Sequence, residues 1–309
     1  MLLAFRRTGL VIFLLLWACL LFPVLGHAQP ESASCFDAFY AYDAALPLDA
    51  EVQVVRETPE VREEHVVFSS THDERVPALL FLPVKAQGPS PCVLALHGLG
   101  GDKESLRLLG ALLCPLGIAV LAYDAQYHGE RRQPAPILSP FLYRSRDALI
   151  QTVVDGRRAI DYLCTRPEID HQRIGLVGLS MGGILGGVLA GVEPRLKVAA
   201  LLVAGGGWGD ILRLSDHPVA KALRESGLDP QGVQQALDPV DPSHFVSRIP
   251  PHPLLFINGR NDEIVPPATS EALQSLAAAP TTEVQWLEAG HGLNATALPL
   301  LIGWLGRNL

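Results

Sequence analysis

Gly178-Leu179-Ser180-Met181-Gly182 fits the pattern G-x-S-x-G, which can present a serine as a nucleophile. A serine hydroxyl attacks a carbonyl well only when a base removes its proton and an acid orients that base. The pattern is weak evidence alone, but its surroundings add weight. Arg173 to Leu179 reads as a strand and Gly182 to Ala190 as a helix of small and aliphatic residues. A sharp turn between them would hold Ser180 strained and exposed, with a helix N-terminus favouring negative charge beside it. A plain Gly-rich turn is the bland alternative. Two partners stand where a parallel sheet would deliver them. Asp262, in Asn258-Gly259-Arg260-Asn261-Asp262-Glu263, follows one strand, and His291, in Gly290-His291-Gly292, follows the last. The order Ser…Asp…His, all on loops at one sheet edge, matches a catalytic triad. Asp210 is the rival acid, Glu288 lies too close in sequence to His291, and Glu263 reads as solvated.

His97 and His128 also follow strands, whereas His65, His72, His171, His217, His244 and His252 read as surface or structural. A tetrahedral intermediate carries negative charge on the former carbonyl oxygen, and backbone N–H groups aimed at it lower the barrier by several kcal/mol. The N–H of Met181, and that of Leu99 in His97-Gly98-Leu99-Gly100-Gly101, are the candidate donors. The bland alternative for this loop is a Gly-rich connection that lets a helix pack. It matches neither phosphate-binding glycine pattern, so nucleotide binding has no support. In Asp124 to Arg132 the charges are expected to pair locally and fix the loop, with substrate contact the lesser reading. Trp208 is a candidate pocket wall and equally a core residue of a lid.

The elements that must position these residues follow from pattern. Val66-Val67-Phe68 and Ala78 to Leu82 read as an early antiparallel pair. Cys92 to Leu96, Ile118 to Tyr123, Ile174 to Leu179, Val198 to Val203, Leu254 to Asn258 and Val284 to Leu287 are short apolar runs, as in buried parallel strands. Helical stretches are expected at 103–116, 143–164, 182–191, 268–278 and 296–306. Such alternation predicts an α/β fold, a mostly parallel sheet covered on both faces. About fifty residues separate the strands near Ala204 and Leu254, far beyond an ordinary connection. The interval, 205–252, is expected to form a lid insertion with helices near 217–226 and 230–237.

Composition sets the class. The chain has 309 residues, 49% hydrophobic and 18% charged, too apolar for disorder. Its net charge of −8 disfavours a nucleic-acid binder. Arg6 and Arg7, the uncharged apolar run Gly9 to Gly26 and the exit Gly26-His27-Ala28 form the three parts of a secretory signal, with cleavage expected after Ala28. An uncleaved membrane anchor is the rival. Cleavage removes two arginines and no acid, taking the charge to −10. The expected organisation is signal 1–28, N-terminal extension 29–59 and catalytic domain 60–309. Cys35, Cys92, Cys114 and Cys164 remain, either bridged or as buried thiols. Their spacing suggests no metal site.

Together, Gly178-Leu179-Ser180-Met181-Gly182, His97-Gly98, Gly259-Arg260-Asn261-Asp262 and Gly290-His291-Gly292 make residues 60–309 resemble an α/β-hydrolase. His97 to Lys103 with Asp124 to Arg131 is similar to the dienelactone-hydrolase-like and acetyl-xylan-esterase-like branches. The resemblance implies an eight-stranded sheet with an antiparallel second strand, a Ser-His-Asp triad and carboxylic-ester hydrolysis. Authentic dienelactone hydrolases use cysteine, so Ser180 departs from them. The expectation is an exported serine esterase, secreted or periplasmic, acting on a small-molecule ester without a cofactor and with no stable membrane association after cleavage. Peptide hydrolysis or acyl transfer by the same triad, and a non-catalytic binding protein on this scaffold, are the alternatives.

Overall fold

The computed structural model describes residues 35–249, 251–277 and 280–309. The expected signal segment 1–28 lies outside the described residues. The strands are β1 (Glu51–Glu57), β2 (Val61–Ser69), β3 (Arg75–Pro83), β4 (Ser90–Leu96), β5 (Ala119–Tyr123), β6 (Ile169–Leu179), β7 (Leu196–Leu202), β8 (Leu254–Gly259) and β9 (Thr282–Leu287). They form one sheet in the order β1-β2-β3-β5-β4-β6-β7-β8-β9. The β1–β2, β2–β3 and β3–β5 pairs are antiparallel, and every pair from β5–β4 to β8–β9 is parallel.

Nine strands correct the eight that the resemblance implies. The additional one is β1, in the segment expected to be an N-terminal extension. Its seven residues are all exposed, so no apolar alternation marks it as half-buried. It is held by its ladder to β2, with a register break between Val54 and Arg56. The central strands show the opposite pattern. In β4, Cys92, Leu94 and Leu96 face one core while Val93 and Ala95 face the other. A strand buried on both faces reads as a continuous apolar run for that reason.

The helices are α1 (Arg107–Leu113), α2 (Leu142–Cys164), α3 (Met181–Val192), α4 (Trp208–Leu214), α5 (Pro218–Glu225), α6 (Pro230–Leu237), α7 (Pro267–Leu276) and α8 (Ala297–Asn308). Leu109 and Leu113 of α1 and Leu301, Trp304 and Leu305 of α8 pack on one face of the sheet. Helices α2 and α3 pack on the other, joined there by Leu273 of α7 and by Trp208, Leu212, Val233 and Leu237 of α4 and α6. Among the described residues, the interval between β7 and β8 holds three α-helices, α4 being one more than the sequence suggests. It starts at Gly207, with φ 78°, in a Gly-rich stretch that resembles a loop. Among the described residues, no helix is long and apolar enough to cross a membrane. Cys35, Cys92, Cys114 and Cys164 are free thiols. Burial pushes the Cys114 thiol up to about 12 and raises Cys92 as well.

Candidate active site

The parallel strands end together at one edge, and Ser180, Asp262 and His291 meet there. Ser180 follows β6 directly and precedes α3, with φ 57° and ψ −119°. That positive φ is a strained conformation for a residue with a side chain. The turn is held open by contacts that only glycine permits. A methyl on Gly178 would lie 2.2 Å from the Gly182 carbonyl oxygen, and one on Gly182 would lie 2.3 Å from that of Leu96. The Ser180 carbonyl accepts from Gly183 and Ile184 N–H, so helix α3 starts without delay.

His291 bridges the other two. Its Nε2 lies 2.9 Å from Ser180 Oγ, and its Nδ1 lies 2.8 and 3.1 Å from the Asp262 carboxylate oxygens. Asp262 is buried, and one of its oxygens accepts from the N–H groups of Ile264 and Val265 at 2.8 and 2.9 Å. Those bonds aim the other oxygen at the imidazole, so the Nδ1–H tautomer is selected and Nε2 presents a lone pair to the serine. The loops carrying Asp262 and His291 are tied together, with Arg260 N–H donating to Leu287 O and Asn261 N–H to Ala289 O. The rival acids lie elsewhere. Asp210 is exposed and pairs with Arg213, and Glu288 is exposed and pairs with Arg260.

Leu99 and Met181 line the same pocket as Ser180. The Leu99 loop passes close, since a methyl on Gly98 would stand 3.3 Å from Ser180 Cβ. Its neighbours' amides are engaged: Gly100 N–H donates to His128 Nε2 at 3.2 Å and Gly101 N–H to Gly98 O. Met181 opens α3, where a first-turn N–H has no partner within the helix. His97 and His128 act as braces here. His97 Nδ1 donates to Gly98 O and Nε2 accepts from Ala125 N–H, while His128 Nδ1 donates to Gln126 O. Each ring is therefore neutral with a fixed tautomer, and burial holds both below the usual histidine value.

The charges in Asp124 to Arg132 do fix the loop, but they do not pair with one another as the sequence suggests: their ion-pair partners Lys103, His65, Asp155 and Glu74 all come from outside it. Lys103, almost fully buried, places Nζ 2.8 Å from Asp124 and 2.7 Å from Glu130. Asp124 also accepts from the N–H groups of Lys103 and Glu130. Arg131 pairs with Asp155 at 2.6 Å and Glu74 at 2.8 Å. Lys103 escapes sequence reasoning because its partner is 21 residues away.

Trp208 lines the pocket and is buried. His217, read from sequence as structural, lines this pocket too while capping α5 through Val219 N–H. Burial and then the nearby His291 lower its pKa. Its signal in the sequence was the Pro218 that follows it at the first position of a helix.

This sheet, with a strained serine after β6 and an acid and a histidine after β8 and β9, defines an α/β hydrolase. The family model described as acetyl xylan esterase (AXE1) matches residues 31–285. A Bacillus subtilis (strain 168) relative named "Putative hydrolase YtaP" is 28% identical over 239 residues, which are 71% of this chain and 76% of that one. Two solved structures share the fold. The acetyl xylan esterase from Paenibacillus sp. R4 has TM-score 0.76 and 23% identity, covering 91% of this chain and 97% of that one. Acetyl xylan esterase 1 from Thermoanaerobacterium sp. JW/SL YS485 has TM-score 0.72 and 19% identity, covering 88% and 93%. The chain belongs to the acetyl xylan esterase family, and it is a carboxylic ester hydrolase.

Proposed function

We propose that the ester is cleaved through an acyl-enzyme formed on Ser180. His291 Nε2 takes the proton as Ser180 Oγ attacks the carbonyl carbon, and Asp262 stabilises the resulting imidazolium. The Leu99 and Met181 N–H groups receive the developing oxyanion. The intermediate collapses by breaking the carbon–oxygen bond to the alcohol, which leaves with the proton from His291. Water, deprotonated by the same histidine, then attacks the acyl carbon; the bond from that carbon to Ser180 Oγ breaks, His291 returns the proton to Oγ, and the carboxylic acid leaves. The reading is carried by His291 standing within hydrogen-bond reach of both Ser180 and Asp262.

Export belongs to the same proposal. It rests on Arg6, Arg7 and the apolar run ending at Gly26-His27-Ala28, and the family match begins just beyond, at residue 31.

Purified Ser180→Ala assayed on p-nitrophenyl acetate tests the chemistry. A loss of at least about 1,000-fold in kcat is expected. Turnover near that of the parent chain would end the assignment. A fluorophosphonate probe that fails to label Ser180 would point to a binding protein instead.

A further inference from the structure

The pocket beside Ser180 is walled on one side by α4, α5 and α6, and their contribution is mostly aliphatic and aromatic: Trp208, Leu212, Ala220, Leu223, Val233 and Leu237. No Lys, Arg, Asp or Glu is among its lining residues. Of the polar side chains that do line it, the serines are engaged by the protein, and His217 is engaged at one ring nitrogen. Ser145 Oγ accepts from Ser139 N–H and lies 3.3 Å from Ser139 Oγ, and Ser215 Oγ donates to Ile264 O at 2.6 Å. Trp208 Nε1–H donates to Val240 O at 3.1 Å, so the indole offers the pocket its apolar body. His217 Nδ1 accepts from Val219 N–H. A hydroxyl-rich group buried here would lose its water and find few partners to replace it, which weakens its binding. An alkyl group loses nothing and gains burial.

A buried carboxylate anchors the wall. Asp241, fully buried between α6 and β8, accepts from the N–H groups of Gly207, Trp208 and Ser243 and from Gln234 Nε2. That one carboxylate pins the start of α4 to α6. The cavity is ≈ 80 Å³. Since a cavity of about 150 Å³ takes up benzene, this one suits a tail of about three to five carbons.

We infer that the substrate is an ester bearing a short apolar group, of butanoyl to hexanoyl size, which fills this pocket under α4–α6, rather than an acetyl ester of a sugar. The inference rests on Ser180 being the nucleophile proposed above. The apolar group belongs either to the acid or to the alcohol.

Two ester series on the intact chain separate these sources. In p-nitrophenyl esters running from acetate to decanoate, kcat/KM rises about threefold per methylene as far as butanoate or hexanoate. It falls by decanoate. If the pocket takes the alcohol, the same rise appears instead in acetates of methanol to hexanol. Acetate as the best acyl group together with a flat alcohol series overturns the inference, as does an optimum at decanoate. Better turnover of acetylated xylo-oligosaccharide than of every alkyl ester also overturns it. Ala220→Phe narrows the pocket and should lower the ratio of hexanoate to acetate turnover by about tenfold, or that of hexyl to methyl acetate if the alcohol occupies it.

Failure of the catalytic proposal is read separately. If no ester is turned over, titration of the Ser180→Ala chain with p-nitrophenyl acetate and butanoate, and with methyl and butyl acetate, followed by tryptophan fluorescence, still tests the pocket. If the inference holds, either the butanoate binds about tenfold tighter than the acetate or butyl acetate about thirtyfold tighter than methyl acetate. Equal affinities within both pairs would overturn it.

Discussion

The site has two walls built by opposite means. The wall formed by residues 97–103 and 124–132 is held by buried charge and by two neutral histidines, all directional contacts onto backbone or carboxylate. The wall formed by α4, α5 and α6 is held by apolar packing, with Asp241 as its main polar anchor. The difference follows from what each must supply. An oxyanion donor works only if an N–H points at one place, and hydrogen bonds and ion pairs fix direction. A pocket for an alkyl group needs shape and dryness, which non-directional packing provides.

The sharpest way to break this contrast is Lys103→Met. It leaves the Asp124 carboxylate buried with its backbone donors but without its counter-charge. A loss of about 3–5 kcal/mol is expected. Urea unfolding measures it, and a loss under about 1 kcal/mol would mean that charge does not hold this wall.

Asp241→Asn acts on the other wall and should be milder. The amide keeps one acceptor oxygen but turns an NH2 toward a cluster of N–H donors. A cost of about 1–3 kcal/mol is expected, concentrated locally. Hydrogen exchange should quicken in α4 and α6 while the amides of residues 98–103 keep their protection. Equal loosening of both segments would show that the walls are one unit.

The smallest effect is that of pH, and it belongs to the first wall. An unfolded histidine takes up its proton near about 6.5, whereas burial holds folded His97 and His128 lower. As pH falls below that point the unfolded chain binds protons that the folded chain refuses, so stability declines. Among the carboxylates, Glu193 is pushed up by burial but held below its usual value overall by Arg195 and Arg157, and so titrates beneath this window. The melting temperature should therefore fall between pH 6.5 and 5, and His128→Gln should flatten that slope. An unchanged slope would remove His128 from the bracing role.

The same contrast explains what the sequence could reveal. Strands β4 to β8 are largely buried, so continuous apolar runs identify them, and Ser180 and Asp262 are found just past the ends of β6 and β8; His291 lies past the partly exposed edge strand β9. Strand β1 is exposed throughout and relies on backbone pairing, which side-chain pattern does not report. Helix α4 hides behind Gly205-Gly206-Gly207, whose backbone close-packs against Thr269 and Ser243 far along the chain. Lys103 and His217 owe their places to partners that only folding brings near.

Ser180, at φ 57°, sits where a side chain costs on the order of 1–3 kcal/mol. A glycine would adopt that geometry freely and lack the hydroxyl. At this residue, then, selection for a more robust chain and selection for a reactive one point in opposite directions. With Ser180 as the proposed nucleophile, drift toward greater stability here would be drift toward an inert protein.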